Sequence, residues 1–203
     1  MSETKHNEEE AAQQAAQPAG KGSPAANLRS TIIEFVVIIA SALVLAWLIT
    51  TFVGRPYQVP SGSMLETIQL KDRVISEKIS YYSHGPQQGD IVTFTDPLDP
   101  KTTLIKRCIA VGGQTVDLVD GVVYVDGEPL DESAYTGGKP SHPEDGPAQI
   151  QYPYTVPEVH IWCMGDNRTN SLDSRYFGAV PVDSITGHAF FTYWPISSIG
   201  PLE

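Results

Sequence analysis

The segment TVDLVDGVVYVDG, Thr115–Gly127, indicates the fold of most of this chain. Apolar and polar residues alternate on both sides of Asp120-Gly121, a dipeptide that favours the tight turn of a β-hairpin. Four further runs rich in β-branched and aromatic residues are separated by Gly, Pro or Asp: RVISEKIS, DIVTF, LIKRCIAV and ITGHAFFTYW. The sequence shows no heptads, long helical patterns or internal repeats. It therefore predicts a mainly β fold built on an antiparallel β-sheet.

A continuous apolar run precedes these strands. FVVIIASALVLAWLITTFV, Phe35–Val53, contains no charged residue. As a helix it covers about 28 Å, close to the thickness of one bilayer core. A cleaved signal peptide or a buried core helix is the alternative, but a signal peptide is usually shorter and is followed by small residues, whereas VGRPYQVP is bulky. We predict that residues 30–54 form one retained N-terminal transmembrane anchor helix.

The rest of the chain divides around this run. Residues 1–29 are rich in Ala, Gln, Glu, Gly and Ser without apolar periodicity, which predicts a disordered tail. Arg29 next to the span favours the cytoplasmic side for that tail. Residues 55–203 are predicted to form the β-rich domain. Within it, residues 126–158 are heavy in Pro, Gly and Ser and predict a small irregular insertion or subdomain.

Charge and histidine spacing bear on the partners. The chain has 13 Lys and Arg against 24 Asp and Glu, for a formal net charge of -11. Phosphate binding needs concentrated basic residues, so nucleic acid is not an expected partner. The five histidines are scattered without ligand spacing, and we predict neither a metal nor another cofactor.

Three polar motifs lie far apart along the sequence. They are PSGSM at Pro60–Met64, LIKR at Leu104–Arg107 and GDNRTNSLDSRYFG at Gly165–Gly178. Each alone is compatible with a turn, a surface basic pair or a polar loop. Together, in this order behind an apolar anchor, they closely resemble the bacterial type I signal peptidases, membrane-bound Ser/Lys endopeptidases that remove signal peptides from exported proteins. The resemblance extends from the anchor to YWPISSIG near the end of the chain.

The resemblance implies that Ser63 is the nucleophile and Lys106 the general base. A serine hydroxyl needs a base, and a lysine can serve only when its amine is neutral. Moving a lysine pKa from about 10.4 to about 7–8 corresponds to about 4 kcal/mol, which burial can supply. Lys106 lies in an apolar run between Ile105 and Ile109 with only Arg107 as a charged neighbour, so we expect it to be desolvated.

Further roles follow from the resemblance. Ser61 would join the Ser63 backbone N–H in an oxyanion hole, and residues two apart in an extended segment do face the same way. Gly62 would let the substrate backbone come close. Support for the site is implied for Ser171 as a partner of the lysine, Asp173 and Arg175 as an ion pair, and Asp166 as an acceptor for Arg175 or Arg107.

The resemblance also implies the substrate and the location. Small pockets beside the dyad would accept Ala-sized residues at the first and third positions before the cut, in an Ala-x-Ala pattern. Expected partners are the signal peptides of exported preproteins, the lipid bilayer and, nearby, the protein-export machinery. The protein would lie in the inner (cytoplasmic) membrane, with residues 55–203 as the catalytic domain on the outer face. The implied pocket lining is Tyr57, Val59, Met64, Leu104 and Ile105.

One position departs from the family pattern. The family usually has proline three residues after the nucleophile, where this sequence has Glu66. If the missing proline costs turn rigidity or the acid disturbs Lys106, Glu66→Pro should raise the cleavage rate or lower the pH at which activity appears. The departure also leaves open a catalytically weak or inactive relative that binds export intermediates. A soluble self-cleaving repressor-type Ser/Lys protease is disfavoured by the anchor and the third motif.

Cys108 and Cys163 have two possible states. Two cysteines in an exported domain can form a disulfide. Both, however, lie in apolar strand-like runs, RCIAV and IWCMG, where a free cysteine packs as a small hydrophobic residue. We favour two buried thiols and leave the disulfide open.

Overall fold

The apolar run forms a helix. A computed structural model describes residues 24–48 and 54–202. Helix α1 extends over Pro24–Leu48, so it begins at Pro24 rather than at residue 30. Its segment Thr31–Leu48 has a mean hydropathy of 2.5 and is long and apolar enough to cross a membrane. Residues 1–23 of the predicted tail and residues 49–53 of the predicted span lie outside the described residues.

Residues 54–202 fold mainly as antiparallel strands, and the predicted fold class is confirmed. A second, short helix, α2 (Ser174–Phe177), is capped by Asp173, and 3-10 turns lie at Ser80–Tyr82, Val182–Ser184 and Ile196–Ser198. The strands are β1 (Arg55–Gln58), β2 (Arg73–Glu77), β3 (Ile91–Thr95), β4 (Thr103–Val111), β5 (Thr115–Val119), β6 (Val122–Val125), β7 (Glu128–Pro129), β8 (Tyr154–Thr155), β9 (His160–Met164), β10 (Val180–Pro181), β11 (Ile185–Trp194) and β12 (Gly200–Pro201).

The hairpin predicted around Asp120-Gly121 is present. Strands β5 and β6 pair with Val119 opposite Val122. Asp120 and Gly121 have φ values of 51° and 83°, the left-handed conformation that a two-residue turn requires. This hairpin forms the middle of a small sheet of order β7-β6-β5-β8.

The larger sheet carries the three motifs. Its order is β1-β2-β11-β3-β4-β9-β10, with β12 paired to β11. All neighbouring pairs are antiparallel, so β1 and β4, four pairings apart, run in the same direction. The late strand β11 lies between β2 and β3. The sequence order of the strands is therefore not their order in the sheet.

Apolar residues pack on both sides of the β4–β9 pair. One cluster joins Ile109, Trp162 and Met164 to Val116 and Val123 of the small sheet. Because these residues are buried, β4 and β9 have little freedom to move, and side chains projecting from β4 hold fixed positions. Lys106, in the middle of β4, is one of them.

Candidate active site

Ser63 and Lys106 meet in a buried contact. Lys106 Nζ donates to Ser63 Oγ at 2.7 Å and to the carbonyl oxygen of Ile105 at 3.1 Å. Only 2% of Lys106 and 7% of Ser63 is exposed. A neutral amine at this distance can take the hydroxyl proton without any rearrangement of the chain.

Burial lowers the pKa of Lys106. Loss of hydration disfavours the charged ammonium form and is the largest cause of the shift. The carboxylates of Asp173, Asp96 and Asp166 act in the opposite direction and raise the pKa. The net direction is downward, as a lysine general base requires.

Asn167 holds the turn that carries Ser63. Its backbone N–H donates to the Ser63 carbonyl oxygen at 3.0 Å, and its side-chain Nδ2 donates to the Gly62 carbonyl oxygen at 2.8 Å. The Gly62 carbonyl and the Ser63 N–H belong to one planar peptide unit, so fixing one group fixes the direction of the other. Asn167 lies inside the third motif but received no predicted role, because its residue type does not reveal which carbonyl groups it reaches.

Ser61 lies on the same side of the turn as Ser63. Their hydroxyl oxygens are 3.4 Å apart. Two hydroxyl groups therefore lie close together at this turn. The part of Ser61 in an oxyanion hole stays a prediction.

Asp166 pairs with Arg107, one of its two expected partners. Arg107 Nε and Nη2 donate to the two carboxylate oxygens at 2.9 and 2.8 Å. Both side chains are almost fully buried. Thr67 Oγ1 donates to the same carboxylate at 2.5 Å. Asp166 thus joins β4 to the segment that follows the nucleophile, with the short bonds typical of charged partners.

Asp173 and Arg175 form an ion pair within the third motif. Arg175 Nε and Nη2 donate to the carboxylate oxygens at 2.9 and 2.8 Å. Asp173 also accepts the N–H of Gly165 at 3.0 Å, and it caps α2 by accepting the N–H of Arg175. The carboxylate therefore fixes both ends of the loop that faces Ser63.

Ser171 does not hydrogen-bond Lys106 here, although the resemblance implies that it should. Its Oγ is buried and has no hydrogen-bond partner within residues 24–48 and 54–202. Gly165 packs closely against it. A Cβ at position 165 would come within 2.6 Å of Ser171 Cβ and 2.5 Å of the Ser63 carbonyl oxygen. Only glycine allows the two segments to approach this closely.

Part of the predicted insertion packs on the second and third motifs and on Glu66, and we call residues 131–146 the strap segment. The carboxylate of Glu132 accepts from both terminal nitrogens of Arg168. The Tyr135 ring centroid lies 4.0 Å from Arg107 Cζ. This segment therefore buttresses the loops of the candidate site. The strap segment makes further polar contacts in the pairs Lys139–Glu66, Ser141–Arg168 and Glu144–Arg175.

Glu66 adopts a backbone conformation that proline cannot. Its φ is 83°, whereas the proline ring holds φ near −65°. Its side chain is 62% exposed and pairs with Lys139 at 3.3 Å. The expectation that proline at this position would improve the turn is therefore wrong, because the turn of this chain has a different backbone.

Glu66→Pro is expected to lower the free energy of unfolding by about 2 kcal/mol or more, because the native φ is incompatible with the ring. Urea denaturation of the variant measures this. The matched control is Glu66→Asn, since asparagine tolerates positive φ and an exposed ion pair contributes at most about 1 kcal/mol. Equal stability of the proline variant and the wild type would show that the turn can adopt another conformation.

A small cavity lies beside the dyad strand. Its volume is about 30 Å³, and four of the five residues expected to form a substrate pocket line it: Tyr57, Val59, Leu104 and Ile105. The fifth, Met64, is fully buried in the adjoining apolar cluster with Val59. The cavity therefore lies among the residues for which the resemblance implies a substrate pocket.

Cys108 and Cys163 are free, buried thiols. They face each other across the β4–β9 pair. Burial raises the pKa of both thiols, so they stay protonated and uncharged behind the candidate site.

Similar proteins are known. The family model described as signal peptidase, peptidase S26, matches residues 32–194. A probable signal peptidase I-1 of Synechocystis sp. is 40% identical over 190 residues, which cover 90% of this chain and 92% of that protein. The signal peptidase I of Leptolyngbya laminosa is 38% identical, with 92% and 90% covered. A crystal structure of a signal peptidase I from Enterococcus faecalis is 34% identical, with a TM-score of 0.42 over 51% of this chain and 95% of that one.

Proposed function

We propose a specific activity from the premise that the chain belongs to the signal peptidase family, peptidase S26. Family membership makes it a peptidase of the serine type that acts on signal peptides. We propose that it is anchored in the membrane and cuts exported preproteins after small residues, with Ser63 and Lys106 as the catalytic dyad. The observation that carries this proposal is the 2.7 Å contact between Lys106 Nζ and Ser63 Oγ.

In the first step Ser63 Oγ attacks the carbonyl carbon before the cut while neutral Lys106 takes the hydroxyl proton. The tetrahedral intermediate collapses when Lys106, now an ammonium, gives that proton to the leaving amine and the peptide C–N bond breaks. Water then hydrolyses the acyl-enzyme, with Lys106 again as the base, and Ser63 regains its proton. Burial supports this cycle because it favours the neutral amine at its start.

The developing oxyanion needs donors placed before the reaction begins. We assign this role to the Ser63 N–H and the Ser61 hydroxyl, next to the nucleophile. The two bonds from Asn167 to the carbonyl oxygens of Gly62 and Ser63 support the assignment, since they hold the Ser63 peptide unit in one orientation. Asn167 is then a positioning residue, because it acts through that peptide unit.

Small side chains are the proposed requirement at the first and third positions before the cut. The cavity lined by Tyr57, Val59, Leu104 and Ile105 has a volume of only about 30 Å³. Ile105, which lines the cavity, directly precedes Lys106 in β4, so the cavity lies next to the base. An alanine methyl fits this space, whereas a branched side chain would overlap its walls.

The membrane part of the proposal rests on α1. Its segment Thr31–Leu48 is apolar enough to span a bilayer, and Arg29 next to it favours a cytoplasmic N-terminus. We propose that the catalytic residues act on the outer face of the cytoplasmic membrane, close to the export machinery that delivers preproteins. The alternative of an inactive relative was suggested by Glu66, and the exposed, Lys139-paired side chain of Glu66 does not favour it.

Purified protein in detergent is expected to cut a preprotein with an Ala-x-Ala site and release a mature chain with the expected N-terminus. Ser63→Ala should abolish this product, because the nucleophilic oxygen is lost. Ser83→Ala, a change at an exposed serine in a turn, is the matched control and should leave the rate unchanged. Absence of cleavage by the wild type, with binding of the preprotein retained, would support the inactive relative instead.

A further inference from the structure

A second and much larger cavity opens beyond the small one. Its volume is about 260 Å³. Three residues with hydroxyl groups, Ser76, Thr95 and Thr186, are among those that line it, together with Gly54 and Arg55. The catalytic roles proposed above use none of these residues. The cavity is therefore available for a different part of the substrate.

The two cavities follow one another along one face of the large sheet. The small cavity contains Tyr57 and Val74, which are cross-strand partners in β1 and β2. The large cavity contains the next partners on that face, Arg55 and Ser76. Residues two apart in a strand face the same side and are separated by about 6.6–6.8 Å.

Strand β3 shows the same displacement. Thr93 lines the small cavity and Thr95, two residues further on, lines the large one. The residues that line the large cavity therefore lie one same-face position further along β1, β2 and β3 than the residues that line the small cavity. The large cavity lies one strand step from the small cavity, on the side away from Lys106.

An extended substrate has the same period. Its first, third and fifth residues before the cut point to one side, about 6.6–6.8 Å apart. On β4, Ile105 lines the small cavity and pairs with Thr93. On β1, the next step on that face leads from Tyr57 at the small cavity to Arg55 at the large one. Because β1 and β4 run in the same direction, an extended substrate parallel to both passes the large cavity first, then the small cavity and then Lys106.

We infer that the large cavity binds the side chain of the fifth residue before the cut, and that it selects a long, uncharged, hydrogen-bonding side chain such as glutamine. This inference rests on the proposed function and assigns the third residue to the small cavity. The difference in volume, about 260 against about 30 Å³, allows a large side chain at the fifth position where the third must be small.

The wall chemistry accounts for the preference. The Ser76 and Thr186 hydroxyls bond to Thr93 and keep lone pairs that can accept from an amide. An apolar side chain would cover these hydroxyls without replacing their hydrogen bonds to water. Around the rim stand two cations and two anions, so a charged side chain would meet as much repulsion as attraction. The rim residues are Arg55, Lys78, Glu77 and Asp183.

Peptides that keep alanine at the first and third positions and vary only the fifth test the inference. We expect kcat/KM for glutamine to exceed that for leucine about fivefold, the effect of one hydrogen bond. Equal values for glutamine, leucine and glycine would overturn it. If no peptide is cut, including the one with glycine at the fifth position, the failure lies with the proposed function and not with the cavity.

Two variants of Thr95 separate selectivity from general damage. Thr95→Val removes a wall hydroxyl at constant shape and should reduce the glutamine-to-leucine ratio towards one. Thr95→Phe fills the cavity and should lower the ratio of kcat/KM for glutamine to that for glycine about tenfold. Thr155→Phe, on an exposed position of β8, is the matched control and should leave both ratios as in the wild type. Unchanged ratios in both Thr95 variants would also overturn the inference.

Discussion

Lys106→Met is expected to lower kcat/KM for an Ala-x-Ala preprotein by at least about 10³, down to what binding and the oxyanion donors still provide. Methionine is unbranched and similar in length, so the packing around β4 should be nearly preserved while the amine that contacts Ser63 is lost. Quantitative cleavage assays, combined with a thermal unfolding curve that matches the wild type, measure the catalytic loss alone.

Lys106→Arg should be equally inactive, because a guanidinium keeps its charge at every accessible pH and cannot act as a base. The pH profile of the wild type tests the role of Lys106 in a second way. Since burial lowers the pKa of Lys106, the neutral fraction grows as the pH rises through that lowered value, and activity should rise with it. Cleavage by Lys106→Arg at a near wild-type rate would show that Lys106 is not the base.

Asn167→Asp is expected to lower kcat about 10²-fold with little change in KM. The substitution keeps the shape but replaces the Nδ2 donor with a carboxylate oxygen that repels the Gly62 carbonyl. The Ser63 N–H then loses its orientation at the oxyanion, where removal of one donor typically costs about 10²–10³. Asn170→Asp, in the same loop but exposed, adds the same charge and should change kcat less than about threefold.

A peptide aldehyde distinguishes this role from a merely structural one. Its adduct with Ser63 is tetrahedral and places an oxyanion among the donors, whereas the product peptide has no such charge. Asn167→Asp should weaken aldehyde inhibition about as much as it lowers kcat and leave product inhibition near the wild-type value. Equal weakening of both inhibitors would mean that Asn167 only maintains the shape of the candidate site.

Local features of the fold were predictable from the sequence. The alternation around Asp120-Gly121 predicted the β5–β6 hairpin with its turn, because residue period and turn chemistry act over a few neighbouring residues. The apolar run likewise predicted a helix long enough for a membrane. The position of β11 between β2 and β3 was not predictable, since strand order depends on contacts between residues distant in sequence.

The candidate site was likewise predictable only in part from the sequence. The resemblance selected Ser63 and Lys106, and the structure places their side chains in contact. It did not reveal that Asn167 holds the nucleophile turn or that Glu132 and Tyr135 pack on the motif arginines. The contacts of Glu132 and Tyr135 come from the irregular strap segment, whose composition carries no periodic signal. The left-handed backbone of Glu66 was missed for a related reason, because φ at a non-glycine residue is set by its surroundings.

The position of β11 has a consequence for folding during synthesis of the chain. During synthesis, the hairpin that leads into β2 and carries Ser63 emerges early, and the strand that carries Lys106 follows it. The strand that joins β2 to β3 is made almost last. Until residues 185–194 have been synthesised, β2 and β3 have no strand between them, so the turn that carries Ser63 and the strand that carries Lys106 lack this connection. We therefore expect a truncated chain that lacks β11 to have no cleavage activity.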